Sequence, residues 1–294
     1  MALTKESKKH ESISKRIKKW VKNKPSSDYD NTFIPAKNTL EEYLKEDWNS
    51  NNLNLINRIV KIHSAIGAYG YWYYCCFLEN LFISENVEKI WEYWRKGAEF
   101  RILQYSLGYK FPQNISPIDD GKIALSICDS IIFNNDLGRY IIDGYICSKK
   151  EIQPQRNPHS VIQYACSIYN RYYNNNKNNI STEKMLTLYS DLFYNIESPN
   201  DLFAKYFEKA CEFHLERSKN SMLYEFSWEE DMIIPSELLA TLLIRKKLGL
   251  TNENVCHPII MPFLSFLKLE KNSILIDSFE YNLIQKIKKD FLLK

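Results

Sequence analysis

The sequence predicts an all-α protein, and three observations support this prediction. Glycine and proline are scarce, at 8 and 10 residues in a chain of 294, so few positions interrupt a helix. Apolar residues recur at spacings of three and four along most segments, which is the period of an amphipathic helix. No run of five or more residues alternates between apolar and polar side chains, as a half-buried strand does. We therefore expect an irregular multi-helix bundle or a degenerate helical-repeat-like array.

The first helix is expected in a basic N-terminal segment, residues 1–24. This segment carries nine Lys or Arg and two Glu, a local net charge of +7, against −4 for the rest of the chain. Because its apolar residues share one face, we expect a partly frayed amphipathic helix. Residues 25–294 are expected to form a single all-helical domain. The apolar stripe of the N-terminal segment consists of Ile13, Ile17, Trp20 and Val21.

Start and stop signals place the next helices. Asn38 or Thr39 is expected to cap a short helix, and residues 52–82 to form a long apolar one. Ser84 precedes a further amphipathic pattern, and Gly108 is placed to end it. Together with the N-terminal helix, we therefore expect four helices before residue 110.

Proline marks most of the later helix starts. A cap residue before proline at the first helical position is a strong start signal. Residues 123–133 are apolar on nearly all sides and predict a central, buried helix. Gly249 is expected to end the helix that Pro235 begins. The expected starts are Ser116-Pro117, Asn157-Pro158, Ser181-Thr182, Ser198-Pro199, Pro235, Pro258 and either Ser273 or Ile274.

Several residues are expected in the core. Trp91 and Trp94 lie on the inner face of their predicted helix, and the spacing of Gly67 and Gly70 favours close packing of two helices. The seven cysteines include no CxxC pair, so we expect small, buried, reduced thiols. No apolar run approaches the roughly 20 residues of a membrane span, and the N-terminus lacks the apolar region of a secretory signal. We therefore expect a cytoplasmic protein without a membrane partner.

Residues that carry enzyme chemistry do not form a known motif. None of the five His belongs to a metal-ligand pattern, and the chain has no phosphate-binding loop or nucleophile elbow. His214 and Arg217 share a helix face, which favours a polar network at a helix contact over a metal or acid–base role. We therefore expect no enzyme activity, no metal, no cofactor and no small-molecule substrate.

A short acidic run is the expected partner-binding site. Glu229, Glu230 and Asp231 stand between two predicted helices, in the sequence FSWEEDMIIP. A polar loop at this position would meet a basic partner without disturbing the core. The alternative is a solvated loop without a partner.

Three stretches, taken in order, resemble the immunity protein 49 family. They are KIWEYWRKGAEFRILQYSLG, GKIALSICDSIIFNNDLGRYI, and CEFHLERSKN followed by PSELLATLLIRKKLGLTNENVCHPIIMPFLSF. The resemblance covers roughly residues 50–268. It depends on the pattern of helices and on the residues that start and end them. It implies an all-helical protein that binds and neutralises a cognate toxin of a bacterial polymorphic toxin system.

Two other classes of function stay open. One is a helical-repeat-like adaptor that binds a protein in a regulatory complex. The other is a nucleic-acid-binding protein that uses the basic N-terminal segment, because clustered cations attract phosphates. A basic segment on a body with a net charge of −4 is weak evidence for nucleic-acid binding. The resemblance therefore makes a toxin protein the expected partner.

Overall fold

The computed structural model describes residues 5–22, 24–46, 55–84, 87–111, 120–151, 161–173, 185, 187–220, 224, 226–268 and 278–293. Helices fill most of these ranges, and the described residues contain no strand, only an isolated bridge between Ser218 and Phe226. The predicted all-α class is therefore confirmed. The helices are α1 (Lys5–Val21), α2 (Lys24–Asp28), α3 (Ile34–Lys45), α4 (Leu55–Glu79), α5 (Val87–Lys110), α6 (Asp120–Ile132), α7 (Gly138–Glu151), α8 (Ile162–Tyr173), α9 (Thr187–Tyr194), α10 (Asn200–Arg217), α11 (Glu229–Ile233), α12 (Ser236–Lys247), α13 (Met261–Leu264) and α14 (Ser278–Asp290).

Three of the predicted boundaries are wrong, and one of them is Pro258, because α13 begins only at Met261 with the next proline in its first turn. α3 begins at Ile34 with Pro35 in its first turn, so Asn38 and Thr39 lie inside the helix and cap nothing. Proline in the first turn is pre-organised for a helix and explains the earlier start. α5 continues through Gly108 to Lys110. Its last turn lies close to α7, where the ring of Tyr109 approaches the glycine at position 144.

The start and stop signals around α10 and α12 are confirmed. Pro199 stands directly before α10 and Pro235 directly before α12. Gly249 has a φ of +75°, and the next N–H bonds back to the carbonyl of Arg245 at 2.9 Å. This left-handed glycine ends α12, as the sequence predicts. Four predicted starts lie outside the described residues: Ser116-Pro117, Asn157-Pro158, Ser181-Thr182 and Ser273 or Ile274.

The chain divides into two compact units, and neither is one continuous stretch. Unit 1 comprises Met1–Ile17, Asp119–Asn134 and Gln153–Leu269, and unit 2 comprises Lys18–Ile118, Asn135–Ile152 and Glu270–Lys294. α1 contributes residues to both units. The division predicted from the sequence, a basic segment of residues 1–24 and a single domain of residues 25–294, is not tested by these two units and stays a prediction.

In unit 1, α6 packs against α8 and α12, and these three helices form its centre. Residues 123–132 of α6 are all buried, which confirms the predicted central helix. α12 is buried along nearly its whole length, from Ser236 to Arg245. Such a helix carries polar groups into the core, where each needs a partner.

In unit 2, α4 and α5 form the principal helix pair. Trp91 and Trp94 are buried, with ring centroids 5.5 Å apart and nearly perpendicular planes, so their predicted core position is confirmed. Gly70 lies where the two helices come closest. A Cβ on Gly70 would stand 2.9 Å from the Cβ of Phe100 and 3.3 Å from the carbonyl oxygen of Gly97.

The glycines of α4 allow a matched test of this close packing. Gly70→Ala is expected to cost about 1–3 kcal/mol in unfolding free energy, because the new methyl meets fixed atoms of α5. Gly67→Ala meets only the flexible end of Gln104. This control is expected to be neutral or to gain up to about 1 kcal/mol from helix propensity. Urea unfolding of both variants measures the difference, and equal effects would contradict the packing argument.

Six cysteines have described side chains. Five are buried, namely Cys75, Cys76, Cys128, Cys166 and Cys211, and Cys256 is exposed. The expectation of mostly buried thiols therefore holds for these six. None of the helices in the described ranges combines the length and the apolar character that a membrane crossing requires.

Candidate functional site

A buried polar network occupies the interior of unit 1, between α10 and α12. Nδ1 of His214 lies 2.8 Å from Oε1 of Glu237, and both side chains are fully buried. A carboxylate only accepts, so Nδ1 carries the proton that it donates to Glu237. The hydroxyl of Tyr189, on α9, donates to the same oxygen at 3.2 Å. The predicted polar network at a helix contact is therefore confirmed for His214.

Neighbouring hydroxyls extend this network to α6 and α8. Ser236 donates to Oδ1 of Asp129 at 2.6 Å, and both side chains are fully buried. Thr241 donates to the backbone carbonyl of Glu237 at 2.7 Å and is hydrogen-bonded to the hydroxyl of Tyr164. Burying a carboxylate is costly unless hydrogen bonds compensate for the lost water. These hydrogen bonds hold the two carboxylates in place and connect five helices, α6, α8, α9, α10 and α12.

Burial and the Glu237 charge shift the acidities of the groups around them. Burial, and then the charge of Glu237, raises the pKa of Tyr189 well above its usual value. The same two causes raise the pKa of the Cys211 thiol. On α1, burial lowers the pKa of His10, and the nearby His214 lowers it further. Tyr189 and Cys211 therefore stay protonated at neutral pH, and His10 stays mostly neutral.

The loop predicted at Glu229, Glu230 and Asp231 is wrong. These residues form the first turn of α11, and the side chains of Glu230 and Asp231 are only 2% and 1% exposed. Acidic residues favour a helix N-terminus because they face its positive end. Nζ of Lys122, on α6, stands 3.9 Å from Oε1 of Glu230. Glu229 alone of the three is half-exposed, so the other two do not present a surface to a partner.

Close to this network, four residues of the chain after α10 lie at the surface of unit 1 together with Lys122: Arg217, Lys219, Tyr224 and Trp228. Trp228, which stands just before α11, is 37% exposed, and Nζ of Lys122 lies 3.4 Å from the centroid of its ring. Tyr224 is contacted by two cations, with Arg217 at 4.8 Å and Nζ of Lys219 at 4.5 Å from its ring centroid. We call these five residues the cation–aromatic surface.

The buried network fixes this surface from below. The ring of Phe226 stacks on His214 with centroids 3.8 Å apart, and Phe226 forms the isolated bridge with Ser218. The hydroxyl of Ser218 donates to the carbonyl of His214 at 2.7 Å. Phe226 and Ser218 are buried, and each lies within two residues of a member of the cation–aromatic surface. The rings of Trp228 and Tyr224 therefore lie beside residues that are buried and hydrogen-bonded.

A shallow cleft of about 340 Å³ is also present in unit 1. Exposed side chains of α10, including Asp201 and Glu208, form one wall, and the chain segment 254–257 forms the other. Asn254 donates to Oδ1 of Asp201 at 2.5 Å across the cleft. Among the residues that the structure describes, no group of three or more His, Cys, Asp or Glu is arranged to hold a metal ion.

Comparison of the chain with protein-family models, curated proteins and solved structures gives no match. The resemblance to the immunity protein 49 family therefore stays a prediction. The sequence did not indicate the partners of His214, the position of Lys122 under Trp228, or the pairing of Ser236 with Asp129. Each of these contacts joins residues that are far apart in the chain.

Proposed function

We propose that this chain is an immunity protein that binds one cognate toxin domain directly and non-covalently, and so occludes the toxin's active site. In this proposal the chain acts in the cytoplasm, needs no cofactor and is not an enzyme. The three stretches that resemble the immunity protein 49 family motivate it. The observation that carries it is the cation–aromatic surface, because this surface has the composition of a protein-binding site.

Trp, Tyr and Arg are the residues most enriched among those that dominate protein-binding energies. The cation–aromatic surface supplies one of each: Trp228, Tyr224 and Arg217. Side chains that are already held in one conformation lose less entropy when a partner binds. Lys122 and Lys219 restrain the two rings in this way, so the surface is pre-organised. Of the predicted acidic trio, only Glu229, which follows Trp228 in the chain, is exposed enough to contact a partner.

An inhibitor of a lethal enzyme must dissociate slowly, so the complex is expected to be tight. Complexes of this kind bury about 1,200–2,000 Å² in total, of which a few anchors supply most of the free energy. The five residues of the cation–aromatic surface would be the centre of such an interface. The charged residues of this surface would contribute mainly to the rate of association.

The test is binding to the toxin encoded beside this chain, by calorimetry or surface plasmon resonance. Trp228→Ala is expected to raise the Kd by about 30- to 1,000-fold, since truncating a central anchor costs about 2–4 kcal/mol. Tyr194→Ala is the matched control, because Tyr194 is 65% exposed at the end of α9 and lies outside the cation–aromatic surface. Its Kd is expected to match that of the wild type.

Two outcomes would contradict the proposal. The immunity function is wrong if cells that co-express the unaltered chain are as sensitive to the toxin as cells without it, and if no complex survives size-exclusion chromatography. The adaptor function would then take its place. If the complex forms but Trp228→Ala and Tyr194→Ala bind equally well, the toxin contacts another surface.

A further inference from the structure

The outward face of α1 carries a stripe of lysines. Lys8, Lys15 and Lys19 follow one another at spacings of seven and four residues, and Lys22 comes three residues later, directly after the helix. With 3.6 residues per turn, these spacings place the lysines along a single line. The line extends over about 21 Å at 1.5 Å per residue. All four side chains are exposed, and we call them the lysine stripe.

The packing of α1 fixes the direction of this stripe. Ile13, Ile17 and Val21 are buried and lie on the opposite side of the same helix. Rotating the helix would expose this apolar face, so the lysines are held toward solvent. Glu11 is the only acidic residue between positions 8 and 22, and it pairs with Lys15 at 2.6 Å. Glu11 offsets one of the four lysine charges, so the outward face of α1 keeps a net positive charge.

We propose that the lysine stripe binds the phosphate backbone of double-stranded nucleic acid without reading its sequence. A duplex carries one negative charge per about 1.7 Å of its axis, so a straight row of cations about 21 Å long meets several phosphates at once. The stripe contains no aromatic side chain on which unpaired bases would stack, which favours a duplex over a single strand. Lysines that contact phosphates position a protein but do not specify a sequence.

A membrane surface is the other large polyanion, and the packing of α1 argues against it. An amphipathic helix that lies on a membrane inserts its apolar face between the lipids. In α1 this face is already buried within the protein through Ile13, Ile17 and Val21. A duplex requires only the charged face, which is the face that α1 presents. This binding site is separate from the cation–aromatic surface and does not depend on the immunity function.

The test measures the affinity of the full chain for a fluorescent 20-base-pair duplex, as DNA and as RNA, between 50 and 200 mM salt. Four phosphate contacts predict that affinity falls with salt with a slope of about −3.6, or about a hundredfold over this range. Replacing the lysine stripe (K8Q, K15Q, K19Q and K22Q together) is expected to remove most of this slope. It should also weaken binding at 50 mM salt at least tenfold. Gln and Lys have similar helix propensities, and circular dichroism would verify that α1 persists.

A second quadruple variant controls for net charge. K205Q, K209Q, K246Q and K289Q together remove four exposed lysines from other helices and are expected to leave duplex binding within about twofold. Trp228→Ala should bind the duplex like the wild type, which separates this site from the proposed toxin interface. Equal losses in the two quadruple variants would show a non-local charge effect and overturn the proposal. Binding to vesicles with anionic lipid, with no binding to either duplex, would also overturn it.

Discussion

Arg245→Ala is expected to lower the free energy of unfolding by about 3–5 kcal/mol, as for the loss of a large core side chain. Arg245 lies in the last turn of α12, and its side chain is fully buried. Its guanidinium group donates to three backbone carbonyls and two side-chain amides. The Cζ atom of this group also lies 4.0 Å from the ring centroid of Phe203. The acceptors are the carbonyls of Ile196, Ser198 and Thr251 and the amide oxygens of Asn200 and Asn252.

These hydrogen bonds join two chain segments, the turn before α10 and the turn after α12. Removing the guanidinium leaves the buried carbonyl of Ile196 and four part-buried acceptors without this donor. An acceptor that water cannot reach costs about 1–3 kcal/mol when its donor is lost. Arg245→Lys is expected to recover only part of the loss, because an ammonium group cannot reproduce the planar fork.

Urea unfolding measures the effect, with Arg171→Ala as the matched control. Arg171 also donates to a backbone carbonyl, that of Phe193, but its side chain is 25% exposed and pairs with the exposed Glu197. Its replacement is expected to cost less than about 1 kcal/mol. A loss below about 1 kcal/mol for Arg245→Ala would show that these hydrogen bonds do not hold the two turns.

Trp94→Ala is the second substitution with a large expected effect. It is expected to lower the free energy of unfolding by about 3–5 kcal/mol. Trp94 is completely buried in unit 2, perpendicular to Trp91 and with its ring centroid 6.0 Å from that of Phe77. Replacement by alanine leaves a cavity that the surrounding aromatic rings cannot fill without leaving their rotamers. Under the proposed immunity function, Trp94→Ala would lose toxin protection through unfolding, whereas Trp228→Ala would lose toxin binding and keep the stability of the fold.

Thermal unfolding distinguishes these two tryptophans. The midpoint of Trp94→Ala is expected to fall by several degrees, and that of Trp228→Ala by less than about 2 °C, since surface substitutions change stability little. If Trp94→Ala unfolds like the wild type, the helix pair of unit 2 does not depend on this ring.

The class of fold was predictable from local patterns because helix periodicity and caps act over a few residues. The starts at Pro199 and Pro235 and the stop at Gly249 are of this kind. Gly108 failed as a stop because the approach of α7 to the last turn of α5 is a tertiary effect. Tertiary packing often overrides a local signal of about 1 kcal/mol.

The candidate site was less predictable, because its contacts depend on which helices meet. Three consecutive acidic residues are typical of a solvated loop, yet Glu230 and Asp231 lie in a buried first turn. In the sequence, Arg245 is the first of three consecutive cations, RKK, and nothing distinguishes it from the two lysines that follow. Only the fold shows that its five acceptors come from residues 196–200 and 251–252.

The interleaving of the two units along the chain has a consequence for biosynthesis. Unit 1 needs residues as late as Leu269, and unit 2 needs residues as late as Lys294. During translation, therefore, neither unit can close its full set of contacts until at least Leu269 has left the ribosome. Incomplete chains expose apolar surface during this interval, which makes them substrates for chaperones and proteases. Truncation from either end removes residues that a unit requires, so active fragments are expected to be rare.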